Sequence, residues 1–206
     1  MNKILKCFFE IASYLYPTEL IRIINGTKKY VYGAKIKRKL KEHGQDVKIS
    51  PPMTLRGEQY ICIGENFSAR EGLMLQCWDQ YEGEKYCPRI RIGSNAELGR
   101  FNHIGCINEI DIGDNFLTGS NVHITDHNHG KIIEEEKELP PVKRKLYSKG
   151  KVVIGNNVWL GDNVMVMPGV IIGDNVIVGA NAVVTKDIEK NCVVAGVPAE
   201  VIKKFC

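Results

Sequence analysis

A six-residue repeat between Ile154 and Ile188 restricts the possible folds more than any other feature of this 206-residue sequence. An aliphatic residue stands at every sixth position, and a second small or branched apolar residue follows each one four places later. The first set is Ile154, Leu160, Val166, Ile172, Val178 and Val184, and the second is Val158, Val164, Val170, Val176, Ala182 and Ile188. An amphipathic helix repeats its apolar positions every three or four residues, and a half-buried strand repeats them every two. A period of six instead predicts the stacked coils of a hexapeptide β-helix.

Each six-residue unit contains one short strand and one corner. The aliphatic residue is expected to point inward and stack on its equivalent in the next coil, and the glycine that usually follows allows backbones to approach closely. The corners carry turn dipeptides, because asparagine and aspartate tolerate positive φ and can bond their own backbone. These dipeptides occupy 156–157, 162–163, 168–169, 174–175 and 180–181. A coil of this kind buries its apolar face only against another coil.

The sequence divides into a helical and basic region at 1–45, a coil domain at 46–202 and a tail at 203–206. Residues 46–125 carry a weaker form of the repeat, interrupted at 76–89 by a predicted loop. The largest interruption is 126–151, which is charged and contains Pro140-Pro141. Long loops in a regular scaffold are usually functional or disordered. We therefore expect the 126–151 loop to be extruded and to form one side of a cleft.

The N-terminal segment has apolar residues at helical spacing, which Pro17 interrupts. They are Ile4, Leu5, Phe8, Ile11, Ala12 and Leu15. We favour a helix in 1–25 that caps the open end of the coils, and the alternative is a helix lying on a membrane surface. Lysines and arginines concentrate in 28–41. Such a run is usually a solvated face, and it would also attract an anionic membrane or a diphosphate-linked substrate.

Charge and cysteine content narrow the class of protein. The net charge of +4 is modest, and no nucleic-acid-binding motif is present, so we expect no nucleic-acid partner. The seven cysteines are odd in number and irregular in spacing, and none forms a CxxC pair. Free thiols in a reducing cytosol are therefore expected. No apolar run is long enough to cross a bilayer. The predicted location is the cytoplasm, either free or peripheral to the inner membrane face.

Two segments resemble a known family: NNVWLGDNVMVMPGVIIGDNVIVGANAVVTKDI and the ending VVAGVPAEVI. They resemble the hexapeptide-repeat acyltransferases, most closely the maltose/galactoside and polysaccharide O-acetyltransferase branch. The likeness is strong over 90–205 and weaker over 46–90. It implies an all-β solenoid, a left-handed parallel β-helix with a short N-terminal helical region and an extruded active-site loop. It also implies a homotrimer with each active site between two subunits, where the histidine loop of one faces the C-terminal coils of its neighbour.

Three histidines, His123, His127 and His129, stand at the start of the 126–151 loop. They could simply be polar loop residues in solvent. The segment NVHITDHNHG also resembles the family segment that carries the general base, which makes His127 the candidate and leaves His129 and His123 as alternatives. An imidazole with a pKa near 6.5 can take a hydroxyl proton at neutral pH. Asp126 or a backbone carbonyl could orient its ring.

The resemblance also implies an acceptor contact and an acetyl-CoA site. Asn102, in ArgPheAsnHis, matches a family asparagine that helps to hold the acceptor hydroxyl. The backbone amides of Gly161 and Asp162 match the position of the donor to the thioester oxygen. The other candidates are Trp159 for a pantetheine or acceptor contact, Ala180 beside the pantetheine, Thr185 and Lys186 near the same arm, and Lys203 for the nucleotide phosphates.

These features predict an acetyl-CoA-dependent O-acetyltransferase that acts on a sugar hydroxyl in surface polysaccharide or lipopolysaccharide synthesis. Acetyl-CoA would be the co-substrate, the acceptor a sugar or lipid-linked saccharide, and no metal is implied. Residues 1–41 are a candidate for peripheral membrane contact. Alternative acceptors are a free sugar, an aminosugar nucleotide, serine or an antibiotic. Alternatives of other classes are a zinc protein like the γ-type carbonic anhydrases and a catalytically silent scaffold subunit.

Overall fold

The chain begins with two helices and continues as a series of short strands. The computed structural model describes residues 3–14, 17–131 and 133–205, so the predicted apolar position Leu15 and the cysteine Cys206 lie outside the described residues. Helix α1 spans Lys3–Tyr14 and helix α2 spans Thr18–Lys37. Short 3-10 helices occur at Glu58–Tyr60, Glu134–Glu136 and Pro141–Lys143.

Most of the strands form three parallel sheets, here called the first, second and third faces. The first face contains β1 (Glu42–His43), β4 (Ile61–Ile63), β9 (Arg89–Ile92), β12 (Glu109–Ile112), β17 (Val152–Ile154) and β20 (Ile171–Ile172). The second contains β2 (Lys48–Ile49), β5 (Ser68–Ala69), β10 (Glu97–Leu98), β13 (Leu117–Thr118), β18 (Trp159–Leu160), β21 (Val176–Val178), β23 (Cys192–Ala195) and β24 (Glu200–Lys204). The third contains β3 (Thr54–Arg56), β6 (Met74–Cys77), β11 (His103–Cys106), β14 (His123–Thr125), β19 (Met165–Val166) and β22 (Val183–Val184). The chain visits the faces in turn, so each circuit is one coil of a parallel β-helix.

The inward positions predicted from the repeat form the core. All twelve residues of the two apolar sets are buried, with at most 7% of their surface exposed. Burial of each such side chain stabilises the fold by about 1.5–3 kcal/mol for valine, leucine or isoleucine. The corner asparagines Asn157, Asn163, Asn175 and Asn181 have φ between 56° and 61°. Their amides bond from coil to coil, as in the bond from Asn157 Nδ2 to Asn175 Oδ1 at 3.0 Å.

The corner glycines hold the coils in close contact, and this predicts a measurable effect. A Cβ on Gly64 would lie 2.6 Å from Gly93 C and Ser94 N, which are backbone atoms of the next coil. We expect Gly64→Ala to lower the free energy of unfolding by about 1–3 kcal/mol in urea denaturation, as overpacking does. Gly26→Ala is the matched control, because nothing lies within 4 Å of its Cβ on α2, and it should add about 1 kcal/mol. Equal stability of Gly64→Ala and the wild type would contradict this coil spacing.

The cap over the first coil differs from the prediction. Helix α1 has no buried residue, so the helical segment near the N-terminus is not the cap. The second half of the basic region caps the first coil instead, because Ile36 and Leu40 join the core and Tyr32 packs against it. Gly33 permits this contact, since a Cβ there would overlap the backbone of Val47. The run at 28–41 is therefore an amphipathic surface with one buried stripe, and is not a purely solvated segment.

Both ends of the coil domain differ slightly from the predicted boundaries. The first parallel strand begins at Glu42 and pairs with β4, four residues before the predicted start at 46. The last strand, β24, runs antiparallel to β23 and includes Lys203. The predicted tail at 203–206 is thus partly a strand as far as the structure describes it, since Cys206 lies outside the described residues.

Two excursions leave the coils and pack against each other. Within the predicted loop 76–89, Gln76 and Cys77 still belong to β6 and Arg89 already belongs to β9, and a hairpin of β7 (Gln80–Tyr81) and β8 (Glu84–Lys85) lies between them. The 126–151 loop is pinned by β15 (Asn128–His129), which pairs with β16 (Leu146–Tyr147). The hydroxyls of Tyr81 and Tyr86 in the hairpin segment donate to the carbonyls of Val142 and Leu146 in the loop at 2.8 and 3.1 Å.

Candidate active site

A cleft of about 370 Å³ opens on the third face, beside the two packed excursions. Its floor comes from strands β6, β11 and β14, and its wall comes from the hairpin and the 126–151 loop. The lining residues are Gln76, Trp78, Tyr81, His103, Gly105, His123, Thr125, His127, His129 and Leu146. All three histidines singled out from the sequence therefore reach one cleft, together with a fourth, His103. His129 is exposed at its rim, edge-on to Tyr81 with ring centroids 5.4 Å apart.

His127 is the histidine with a fixed carboxylate partner. Its Nδ1 lies 2.9 Å from Oδ1 of Asp126. An ionised carboxylate only accepts hydrogen bonds, so Nδ1 carries the proton and Nε2 keeps its lone pair. Thr125 Oγ1 also lies 3.1 Å from the carbonyl oxygen of His127 and 3.3 Å from its backbone nitrogen, which holds the turn. This arrangement leaves one ring nitrogen able to accept a proton.

Asp126 is fully buried and accepts three further hydrogen bonds from the preceding coil. The backbone N–H groups of Ile107 and Asn108 donate to it at 3.0 and 2.8 Å, and the thiol of Cys106 donates at 3.2 Å. Burial raises the pKa of the Cys106 thiol, so it remains a protonated donor. A buried carboxylate held by several donors is a fixed support for the His127 ring.

His103 and His123 form a pair on the cleft floor, which strands β11 and β14 contribute. They are in register on β11 and β14, and their rings meet edge to face with centroids 4.6 Å apart. Burial, followed by the neighbouring His123 and His127, lowers the pKa of His103 to about 4. Burial and His127 also lower the pKa of His123. His123 therefore lines the cleft as a neutral side chain.

The lowered pKa values predict an acid-dependent loss of stability. The unfolded chain binds protons on these two histidines below pH 6.5, whereas His103 in the folded chain stays neutral to about pH 4. Stability is therefore fully present above pH 6.5 and falls as the pH drops towards 4, because the unfolded state then binds more protons. In urea denaturation between pH 7 and 4.5, the free energy of unfolding should fall less in His103→Gln than in the wild type. The slope of this free energy against pH should differ by the equivalent of up to one bound proton. An equal pH dependence in both proteins would contradict the burial of a neutral His103.

Asn102 does not reach the cleft. It is buried, its amide nitrogen donates to Thr118 Oγ1, and its Oδ1 accepts the Val122 N–H at 2.8 Å. Both ends of the side chain are thus used to join neighbouring coils at a corner. The predicted acceptor contact by Asn102 is not supported within this chain, and the structure gives Asn102 a bracing role.

The coil corners follow a hydrogen-bonding rule that bears on the predicted amide donors. At several corners, the residue after the glycine donates its backbone N–H to the side chain at the equivalent position of the next coil. This holds for Ser94 to Asp114, Asp114 to Asn156, Asn156 to Asp174 and Ser120 to Asp162, at 2.6–2.8 Å. The rule requires an acceptor side chain in the following coil.

Asp162 is one of the corner residues without this bond, because the next equivalent residue is Ala180. Alanine has no acceptor, and among the described residues no hydrogen bond uses the Asp162 N–H. Gly161 is different, because its N–H donates to Val178 O at 2.8 Å. Of the two predicted amide donors, only that of Asp162 is therefore available to a ligand in this chain. A Cβ on Gly161 would lie 2.7 Å from Ala180 N, so the corner is also narrow.

The other candidates for the acetyl-CoA site lie away from the cleft. The second face holds four residues in register across adjacent strands: Trp159, Ile177, Val193 and Lys203. Trp159 and Lys203 therefore lie on the same outer surface, three strand spacings or about 14 Å apart. Trp159 is 47% exposed. The remaining candidates are Ala180, Thr185 and Lys186, and all three are exposed. None of the seven lines the cleft, so one chain brings together the histidines but not the predicted cofactor residues.

In residues 3–14, 17–131 and 133–205, no group of three or more histidine, cysteine or acidic side chains is arranged to hold a metal ion. Within the same ranges, no helix combines the length and the apolar character that crossing a bilayer requires. The six cysteines that the structure describes are all free thiols.

Comparison with known proteins gives one consistent result. Residues 151–186 match the family model described as bacterial transferase hexapeptide (six repeats). The putative lipopolysaccharide biosynthesis O-acetyl transferase WbbJ of Escherichia coli K12 is 42% identical over 158 residues, which cover 75% of this chain and 76% of WbbJ. Among solved structures, a maltose O-acetyltransferase from Clostridium difficile 630 is 28% identical with a TM-score of 0.60, covering 100% of this chain and 90% of that one. A galactoside acetyltransferase in complex with coenzyme A is 29% identical with a TM-score of 0.55, covering 89% and 80%.

The coils, the histidine cleft and these matches define a class. The chain belongs to the hexapeptide-repeat transferases of bacteria. Within that family it lies in the sugar O-acetyltransferase branch and is an O-acetyltransferase, which confirms the resemblance inferred from the sequence.

Proposed function

We propose that the protein transfers an acetyl group from acetyl-CoA to a hydroxyl of a sugar in surface polysaccharide or lipopolysaccharide synthesis. The observation that carries the proposal is the His127–Asp126 pair in a cleft large enough for a sugar. The named functions of WbbJ and of the galactoside and maltose enzymes support the acceptor class. The galactoside enzyme's complex with coenzyme A supports the donor.

The chemistry follows from the hydrogen bonds around the two ends of the site. Nε2 of His127 takes the proton of the acceptor hydroxyl while the hydroxyl oxygen attacks the acetyl carbon. The same nitrogen then gives the proton to the leaving thiolate of CoA. Asp126 holds the ring and stabilises the imidazolium while it is charged. The unused N–H of Asp162 donates to the oxygen that becomes negative during the attack. No covalent bond between enzyme and acetyl group is required.

We infer a homotrimer of left-handed coils in which the two ends of the site come from different subunits. The support is that no predicted acetyl-CoA residue lines the histidine cleft within one chain. The outer surface of the second face also carries the partly exposed apolar side chains Leu117 and Trp159, in register on β13 and β18. Apolar side chains of this kind suit a subunit interface. The Asp162 amide and Lys203 of one subunit would then bind acetyl-CoA, and His127 of the neighbouring subunit would act as the general base.

An acceptor screen tests the proposed function. The protein is incubated with radiolabelled acetyl-CoA and methyl glycosides of several hexoses, nucleotide-linked aminosugars, serine or a lipid-linked oligosaccharide. Label transferred to a sugar and released by alkaline hydroxylamine identifies an ester and supports O-acetylation. Label that resists hydroxylamine would indicate an amide, and the absence of transfer to any sugar would contradict the proposal.

We further propose that residues 1–41 lie against the anionic surface of the inner membrane. This region contains ten of the chain's 28 lysines and arginines but only two of its 24 acidic residues, so its net charge is +8 and that of the rest is −4. Helix α1 exposes apolar side chains: Ile4, Leu5, Phe8, Phe9, Ile11 and Tyr14 are 46–90% exposed. On α2, a groove of about 500 Å³ joins apolar Ile24 and Val31 to the cationic rim of Lys28, Lys35 and Arg38. Apolar area combined with positive charge is the pattern of interfacial helices.

Vesicle flotation measures this contact. The wild type should bind vesicles containing a quarter phosphatidylglycerol and should be released by high salt. The double variant Lys28→Gln/Lys35→Gln should bind about tenfold more weakly or worse, since each lysine near an anionic surface contributes about 1 kcal/mol. Lys149→Gln/Lys151→Gln is the charge-matched control outside the region. Equal binding to neutral vesicles, or self-association through residues 1–41 instead of lipid binding, would contradict the proposal.

A further inference from the structure

The cleft contains a polar pair that neither the repeat nor the family resemblance pointed to. Nε2 of His103 lies 3.0 Å from Oε1 of Gln76, on adjacent coils. An amide oxygen only accepts, so His103 donates to it, and the amide nitrogen of Gln76 keeps two donor hydrogens. Both residues line the cleft, and within the described residues no hydrogen bond uses the amide nitrogen of Gln76.

Gly105 lines the cleft between this pair and His127. Gly105 is in register with Gln76 on one side and with Thr125 on the other. A Cβ built on Gly105 would lie 3.3 Å from Nε2 of His103 and 3.6 Å from Cε1 of His127. Both imidazoles therefore border the space above Gly105, which is where an acceptor oxygen would lie within reach of His127.

The side chains around this space fit an uncharged, polyhydroxylated ligand. Trp78 and Tyr81 form an aromatic wall, with their rings edge to face and centroids 5.8 Å apart. Binding sites for such ligands combine aromatic surfaces with a few well-placed hydrogen-bonding groups. The pKa of His103 is lowered to about 4, so its ring is neutral at neutral pH. It therefore adds no positive charge beside His127 at the moment when that ring gains a proton.

We propose that Gln76 binds the acceptor sugar by donating its amide N–H to a sugar oxygen above Gly105, and that His103 is the positioning residue that fixes the direction of this amide. The inference rests on the proposed O-acetyltransferase function and specifies the acceptor side of that site. It makes Gln76 a determinant of acceptor affinity that acts separately from acetyl-CoA binding.

Steady-state kinetics with the methyl glycoside that the wild type acetylates fastest test the first part. Gln76→Ala should raise KM for the glycoside about five- to tenfold, as expected for one lost hydrogen bond. The KM for acetyl-CoA should not change. Gln59→Ala, the same change at an exposed position outside the cleft, is the control. An unchanged glycoside KM in Gln76→Ala would overturn the proposal.

Two His103 variants test the positioning role. The amide of His103→Gln can still donate to Gln76, so this variant should keep a glycoside KM within about threefold of the wild type, whereas His103→Leu should match Gln76→Ala. A merely structural role would make both variants lose stability and acetyl-CoA binding together, and that result would contradict the proposal. If the wild type transfers acetyl to no sugar in the acceptor screen, the proposed function itself fails. If it does and Gln76→Ala behaves like the wild type, the proposed function stands and only the role of Gln76 fails.

Discussion

Replacing His127 by asparagine is expected to lower kcat for acetyl transfer by roughly 10²–10⁴-fold, the contribution of a general base. Asparagine retains a polar side chain of similar size, but it has no nitrogen that can take the hydroxyl proton. Nδ2 of the new residue can still donate to Asp126, which limits the effect on folding. The acetyl-CoA dissociation constant, measured by calorimetry, should change less than twofold.

The neighbouring histidine provides the control for this experiment. His129 is exposed at the cleft rim and has no carboxylate partner among the described residues. We expect His129→Asn to lower kcat by less than tenfold. A large loss in His129→Asn together with near-normal turnover in His127→Asn would assign the base to His129 and contradict our choice.

Adding a carboxylate at position 180, in the variant Ala180→Asp, is expected to raise the stability of the fold and to lower the activity. By the corner rule, Ala180→Asp supplies the acceptor that the Asp162 N–H lacks, as Asp162 itself does for Ser120 at 2.6 Å. The extra bond should raise the free energy of unfolding by about 0.5–1.5 kcal/mol. The same bond removes the only predicted amide donor still available to the thioester oxygen, and kcat should fall by about 10²–10³-fold.

A second corner offers a matched control for the Ala180 variant. The next equivalent residue to Asp174 is Lys190, and in the part of the chain that the structure describes no hydrogen bond uses the Asp174 N–H. Lys190→Asp should therefore add a similar bond without any effect on kcat. If Ala180→Asp retains wild-type turnover while gaining stability, the Asp162 amide has no role in the reaction.

The repeat made the coils predictable because each unit places the same kinds of side chain in the same environment. The inward aliphatic residues and the corner asparagines need only local information, which residues 154–188 supply for the aliphatic positions in every unit and for the asparagines in most. The cap was not predictable in the same way. The stripe of Tyr32, Ile36 and Leu40 is present in the sequence, but the lysines around it dominate its composition, and α1 carries a more obvious apolar pattern without contacting the core.

The histidine cleft was only partly predictable, because its members come from different coils. His127 follows the repeat directly, and the resemblance pointed to it. His103 and His123 meet because exactly one coil of 20 residues separates them, as their register requires, and an interruption between them would have moved them apart. The acceptor role of Asn102 came from the resemblance alone, and within one chain its side chain bonds to Thr118 and Val122.

The central claim is that His127 of one subunit serves acetyl-CoA held by another, and mixed trimers test it most directly. His127→Asn and Ala180→Asp are co-expressed with different tags, and the mixed species are purified through both. In a trimer whose sites each need both intact residues from neighbouring subunits, every mixed trimer has one intact site, so the purified mixed species should have about a third of wild-type activity, although each variant alone is nearly inactive. Mixed species that remain as inactive as the single variants, or a monomer that turns over at the wild-type rate, would contradict the account.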